Sequence, residues 1–196
     1  MILLDIKDLR KAKITLTLIF INILCFLTFN IAMPIEYFYL FVQINSRILN
    51  EYEIWRLFTS LFLHADILHL VSNLLALLLF GATIESHPKF SKVFYIITFI
   101  ISGLIGNLFS LILIAPNTIS LGASGSIFGL IGVVLIIIAS ENRSLLPFAL
   151  LYIAYYIIAS FSPGINIWAH LTGLIGGISL GYILYYQKNR VEQSFD

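Results

Sequence analysis

Residues 121–138 read LGASGSIFGLIGVVLIII. From Ile127 onward the stretch is apolar and uncharged, while its start sets Ser124 among glycines. Gly122, Gly125, Gly129 and Gly132 recur at intervals of three and four, the spacing of one helix face. An apolar helix with such a small-residue stripe suits a membrane helix that meets another backbone to backbone. The composition agrees. Of 196 residues, 60% are hydrophobic and 11% charged, against about 45–50% and about 25% in average soluble proteins. The fold class is therefore an all-α, polytopic membrane protein, read as one compact helical domain over residues 1–196.

Six spans are expected, at about 14–33, 67–85, 92–114, 123–140, 145–160 and 168–187, since runs near ~18–20 apolar residues cross a bilayer. The first is read as a span and not a signal peptide. It exceeds a signal core, and no small-x-small cleavage site closes it. The fifth is the shortest and carries Pro147 near its start, where a missing N–H costs nothing. Cys25, the single cysteine, lies in an apolar run and is read as a packing residue. A net charge of +1 points away from a nucleic-acid partner.

Basic residues set the orientation. With a cytoplasmic N-terminus, the inner segments hold Lys7, Arg10, Lys11, Lys13, Lys89, Lys92, Arg143, Lys188 and Arg190. The outer loops hold Arg47 and Arg56. An even number of spans then returns the C-terminus to the cytoplasm. The first outer loop, 34–66, is long and contains IEYFYLFVQI, aromatic and too short to span. It either lies in the membrane interface or packs as a greasy loop on the bundle.

Polar side chains inside a bilayer are expensive, so each needs a reason. Four stand out: His69 and Asn73 in span two, Ser124 in span four and His170 in span six. Taken alone, Ser124 is more readily a helix-packing hydroxyl. Taken together, the four agree in depth. Spans two, four and six all start at the outer face, and all four residues fall in their first turns, within about 10–12 Å of the helix ends. His69 and Asn73 share a helix face. Gly173, Gly177 and Gly181 follow His170 on roughly its own side of span six. Spans four and six are therefore expected to pack through their glycines and bring Ser124 to hydrogen-bond distance of His170.

A serine hydroxyl becomes a nucleophile when a base takes its proton, and neutral imidazole is the usual base. N–H groups at the start of span four, with the side chains of Asn73 and His69, would stabilise an oxyanion. Gly122 and Gly125 would permit a tight turn and close approach of substrate backbone. No acid lies at that depth, since Asp66 is at the mouth of span two and Glu85 at its other end. The expectation is a slow Ser–His dyad, its ring oriented by packing on Phe128. No metal or other cofactor is called for.

These residues resemble a known family. GASG around Ser124 is similar to the G-x-S-G motif of rhomboid intramembrane serine proteases. AHLTGLIGG at 169–177 resembles their sixth-helix pattern, and HADILHLVSN at 64–73 their second-helix H-x-x-x-N, with His64 matching an upstream histidine. The pair Trp55–Arg56 resembles one in their first loop. The likeness covers about residues 50–185, with the motifs in the expected order. It implies a six-transmembrane-helix rhomboid bundle of the minimal prokaryotic type in the cell membrane. It assigns Ser124 as nucleophile, His170 as general base, His69 and Asn73 as oxyanion donors, and a structural role to Glu85. Substrates would be transmembrane segments of other proteins, entering sideways past span five and a cap at 161–167. Phe128 stands where members often have tyrosine.

Three rivals remain in view. A zinc protease would need H-E-x-x-H, whereas His64 and His69 are five apart, about 140° around a helix. An inactive rhomboid-like protein that binds membrane clients would typically have lost the serine or histidine. A small transporter would place its polar cluster at the midplane. Substrate identity, cleavage site and oligomeric state stay open.

Overall fold

The computed structural model of the protein describes residues 11–193. Lys7 and Arg10 of the amino-terminal basic flank lie outside the described residues, as do the side chains of Lys188 and Arg190. The chain is mostly helical. We label the principal helices α1 (Lys13–Ala32), α2 (Ile67–Ser86), α3 (Lys92–Leu113), α4 (Ser124–Glu141), α5 (Leu146–Ala159) and α6 (Ile167–Gln193). Five of them, α6 over Ile167–Tyr185, are long and apolar enough to cross a membrane. Helix α5 has 14 residues, roughly 21 Å at ~1.5 Å per residue, and begins after a short 3₁₀ turn, Arg143–Leu145.

Local chemistry starts and stops these helices. Asp66 caps α2, its carboxylate accepting from the His69 N–H at 2.8 Å. Ser91 caps α3 through the Phe94 N–H at 3.0 Å. Such caps satisfy donors that a helix start leaves without partners. Pro147 occupies the first turn of α5. The first turn of α1 is capped from a distance. Glu85, near the end of α2, accepts from the Ile14 and Thr15 N–H groups and the Thr15 hydroxyl, each at 2.9 Å. That contact fixes the start of α1 beside the end of α2, so the two helices run antiparallel.

The core is a three-helix seam of α3, α4 and α6. A methyl group built on Gly177 would overlap the Gly129 carbonyl oxygen, and one on Gly173 that of Gly125. Helices α4 and α6 therefore touch main chain to main chain, as their glycine spacing led us to expect. Large side chains fill the space around this seam, including Phe94, Tyr95, Phe99, Leu130, Val133 and Leu174.

The segment between α1 and α2 is ordered by polar brackets. It holds three short helices, Ile35–Tyr39, Asn45–Glu51 and Arg56–Thr59. Strand β1 (Gln43–Ile44) pairs antiparallel with β2 (Ile119–Ser120), Gln43 opposite Ser120. Gln43 donates to the Asn107 carbonyl at 3.0 Å, and Asn45 to the Ser110 carbonyl at 2.6 Å. Asn107, in the last third of α3, donates back to the Leu57 carbonyl at 2.8 Å. Arg56 is buried and bonds the carbonyls of Tyr39 and Val42 at 2.6 and 2.8 Å. One side of the segment thus packs on the bundle through Phe38, Val42 and Leu63. Its other side leaves Tyr37, Leu40, Tyr52 and Trp55 exposed.

Candidate active site

Strand β2 delivers the chain to Gly122, whose φ of +119° no side-chain-bearing residue adopts readily. Gly122 N–H donates to the Ser60 carbonyl at 2.9 Å, pinning the turn to the first loop. Ser124 then opens α4. On the other side of the seam, Asn166 starts α6. Its Oδ1 accepts from the Ala169 N–H at 3.0 Å, and its amide donates to the hydroxyls of Ser110 at 2.7 Å and Ser120 at 3.0 Å. One side chain therefore links the start of α6, the end of α3 and the strand leading to Ser124.

His170 follows in the first turn of α6 and is buried. Its Nε2 lies 2.7 Å from Ser124 Oγ. Its ring stacks on Phe128, centroids 4.3 Å apart and planes 14° apart. Its Nδ1 lies 2.6 Å from the Oγ of Ser160, the residue just after α5. Ser160 is itself buried and donates to the Tyr156 carbonyl at 2.7 Å.

The remaining expected residues divide. His69 presents its ring to the open face of Gly122, so a side chain at Gly122 would strike Nε2 and Cε1 of that ring at 2.8 and 2.9 Å. The nearest side chain beyond the ring is Ser124, whose Oγ would sit 3.8 Å away. Asn73 sits one turn further along α2 and gives one amide hydrogen to the His69 carbonyl at 2.8 Å. Gly125 faces Ala169 of α6. A Cβ there would contact Ala169 at 3.4 Å, so the space belongs to the α4–α6 seam. His64 packs edge-on against His69, centroids 5.0 Å apart. Burial, with a smaller contribution from His69, pushes the His64 imidazole down to about 3.

The order and spacing of these groups coincide with a family pattern. A model of the rhomboid domain matches residues 51–187. The chain belongs to the rhomboid family. This rhomboid is 35% identical over 157 residues to "RHOMBOID-like protein 6, mitochondrial" of Arabidopsis thaliana, covering 76% of this chain and 50% of that one. It is 33% identical over 143 residues to "Putative rhomboid protease YdcA" of Bacillus subtilis, covering 70% and 71%. With "Rhomboid-like protease 3" of Toxoplasma gondii it shares 33% over 147 residues, covering 71% and 54%. The matched segment thus spans about half the length of the plant and Toxoplasma relatives. As a rhomboid with apolar helices of spanning length, the protein is an integral, multi-pass membrane protein.

Three residues of the rhomboid's site escaped the sequence reading. Asn166 carried a usable signal, an Asn directly before an apolar helical run. Asn107 carried another, an amide inside an apolar span. Ser160 carried almost none, because a serine at a helix end is commonplace.

Proposed function

We propose that this rhomboid is an intramembrane serine endopeptidase that cleaves transmembrane segments of other membrane proteins near the outer face of the bilayer. Ser124 is the nucleophile and His170 the general base. The observation that carries this reading is the 2.7 Å approach of Nε2 of the buried His170 to Ser124 Oγ. As Oγ attacks the scissile carbonyl carbon, its proton passes to Nε2. The carbonyl oxygen becomes an oxyanion, supported by the N–H of Ser124, which opens α4 and has no intrahelical acceptor. His69 and Asn73, in the first two turns of α2, would add side-chain donors to the same oxygen. One such donor is typically worth about 2.7–4 kcal/mol. Collapse of the intermediate breaks the C–N bond, and His170 returns the proton to the leaving amine. Water activated by the same imidazole then hydrolyses the acyl-serine ester.

This reading takes residues 1–196 as one domain, with both termini on the cytoplasmic side of a prokaryotic cell membrane. Its substrates meet the dyad from within the bilayer. The test is labelling with a fluorophosphonate in detergent. Wild-type protein should react, and Ser124→Ala and His170→Ala should not. Equal labelling of Ser124→Ala would remove the nucleophile. A wild-type protein inert to both probe and membrane substrates would favour a client-binding rhomboid-like protein instead.

A further inference from the structure

We propose that Ser160 is a positioning residue that holds the His170 imidazole in the tautomer able to accept a proton from Ser124. The proposal rests on the dyad reading above. It follows from counting hydrogens. Ser160 has one hydroxyl hydrogen and donates it to the Tyr156 carbonyl at 2.7 Å. Toward His170 Nδ1, 2.6 Å away, its oxygen therefore has only lone pairs to offer. A short contact between two lone pairs is repulsive, so both contacts of this hydroxyl are satisfied together only when Nδ1 carries the hydrogen and donates it. A neutral imidazole has one N–H. Placing it on Nδ1 leaves Nε2 with the lone pair that Ser124 needs as its acceptor at 2.7 Å. The ring plane is fixed independently by stacking on Phe128, 14° from parallel. Stacking cannot choose between the two nitrogens, and the Ser160 oxygen can.

Soluble Ser–His–Asp sites give this task to a carboxylate, and an Asn there leaves the wrong tautomer at a cost of ~10⁴-fold. Here a neutral hydroxyl takes the position. It also stabilises the imidazolium formed during attack, though less than a carboxylate would. The acceptor is held in turn by the last turn of α5, so the tautomer depends on a helix that contributes neither dyad member.

The test uses four variants of this chain. Ser160→Ala removes the oxygen. Ser160→Thr and Ser160→Val add the same bulk, and only Thr keeps the oxygen. Fluorophosphonate labelling of Ser124 forms an O–P bond and releases fluoride, with His170 taking the serine proton. The maximal labelling rate should therefore fall about 10- to 100-fold in the Ala variant, while the half-saturating probe concentration stays within about twofold. Thr should exceed Val by at least about tenfold. Nitrogen-15 spectra of His170 should show Nδ1 protonated in wild type and a mixture of tautomers in the Ala and Val variants. The Ser124→Ala control separates failures: if it still labels, the dyad reading falls. If the dyad stands but rates do not divide by the presence of the hydroxyl, this proposal falls. A wild-type spectrum with Nε2 protonated overturns it without reference to activity.

Discussion

Helices α4 and α5 follow one another through a single short turn, and both are apolar, yet they are held very differently. In α4, 67% of the residues are buried within the protein. In α5 only Ile153 is buried, and Phe148, Leu151 and Ile158 are each about 70% exposed. Side-chain hydrophobicity does not explain the contrast, because lipid solvates leucine as well as a neighbouring helix does. Backbone access does. The first half of α4 has a glycine every third or fourth residue, at positions 125, 129 and 132, and α6 answers it with Gly173 and Gly177. Helix α5 contains no glycine and surrounds itself with Leu, Ile, Phe and Tyr. The site straddles this divide: Ser124 and His170 sit on the tight seam, and Ser160 sits at the end of the loosely held helix.

The comparison is broken most severely at the seam. Gly177→Leu drives a side chain into the Gly129 carbonyl, so at least about 3 kcal/mol of stability should be lost. Thermal melting in detergent should drop sharply and fluorophosphonate labelling should vanish. A stable, labelling-competent variant would show that the glycines do not set the helix separation.

The buried first-loop contact with the site supplies the next largest effect. His64 has a folded value near 3, below its ordinary 6.5. Between those values the unfolded chain binds the proton more tightly, so stability is full above about pH 6.5 and declines toward pH 3. The slope should approach about 1.4 kcal/mol per pH unit. Melting followed from pH 7 to pH 4 should be less pH-dependent in His64→Leu than in wild type. Identical slopes would mean that this ring is hydrated or partnered differently.

Phe128 sharpens the comparison on the α4 side. An aromatic pair of this kind is worth about 0.5–1.5 kcal/mol. Phe128→Leu should therefore slow labelling by up to roughly tenfold, while Phe128→Tyr keeps the ring and most of the rate. Equal rates for the two would detach stacking from His170 alignment. The smallest effect belongs to the outer surface of α5. Leu151→Ala removes a side chain that touches little protein and should shift stability by no more than about 0.5 kcal/mol. A large shift would show that α5 is packed against something at that face.

Much of the site was legible because it obeys a helical period. The offsets between Ser124 and its glycines, and between His170 and its own, are written in the chain and need only the geometry of a helix to interpret. His69 and Asn73 were legible for the same reason, since they lie four apart. Ser160, Asn166 and Asn107 follow no such period relative to their partners. Asn166 meets Ser110 and Ser120, and Ser160 meets His170, across loops whose paths the sequence leaves open. The surroundings of Gly125 were hidden for a related reason. A small residue near a nucleophile serves substrate or helix packing equally well until the neighbouring helix is in place.

The sequence by itself determined a helical membrane protein with two glycine-faced helices and a serine and histidine at matching depth. Burial energetics in lipid and the 3.6-residue period suffice for that much. Only the tertiary structure decided what faces each nitrogen of His170. Ser124 Oγ lies at Nε2, and at Nδ1 lies one oxygen at 2.6 Å, supplied by a helix whose approach is governed by packing and not by any local pattern.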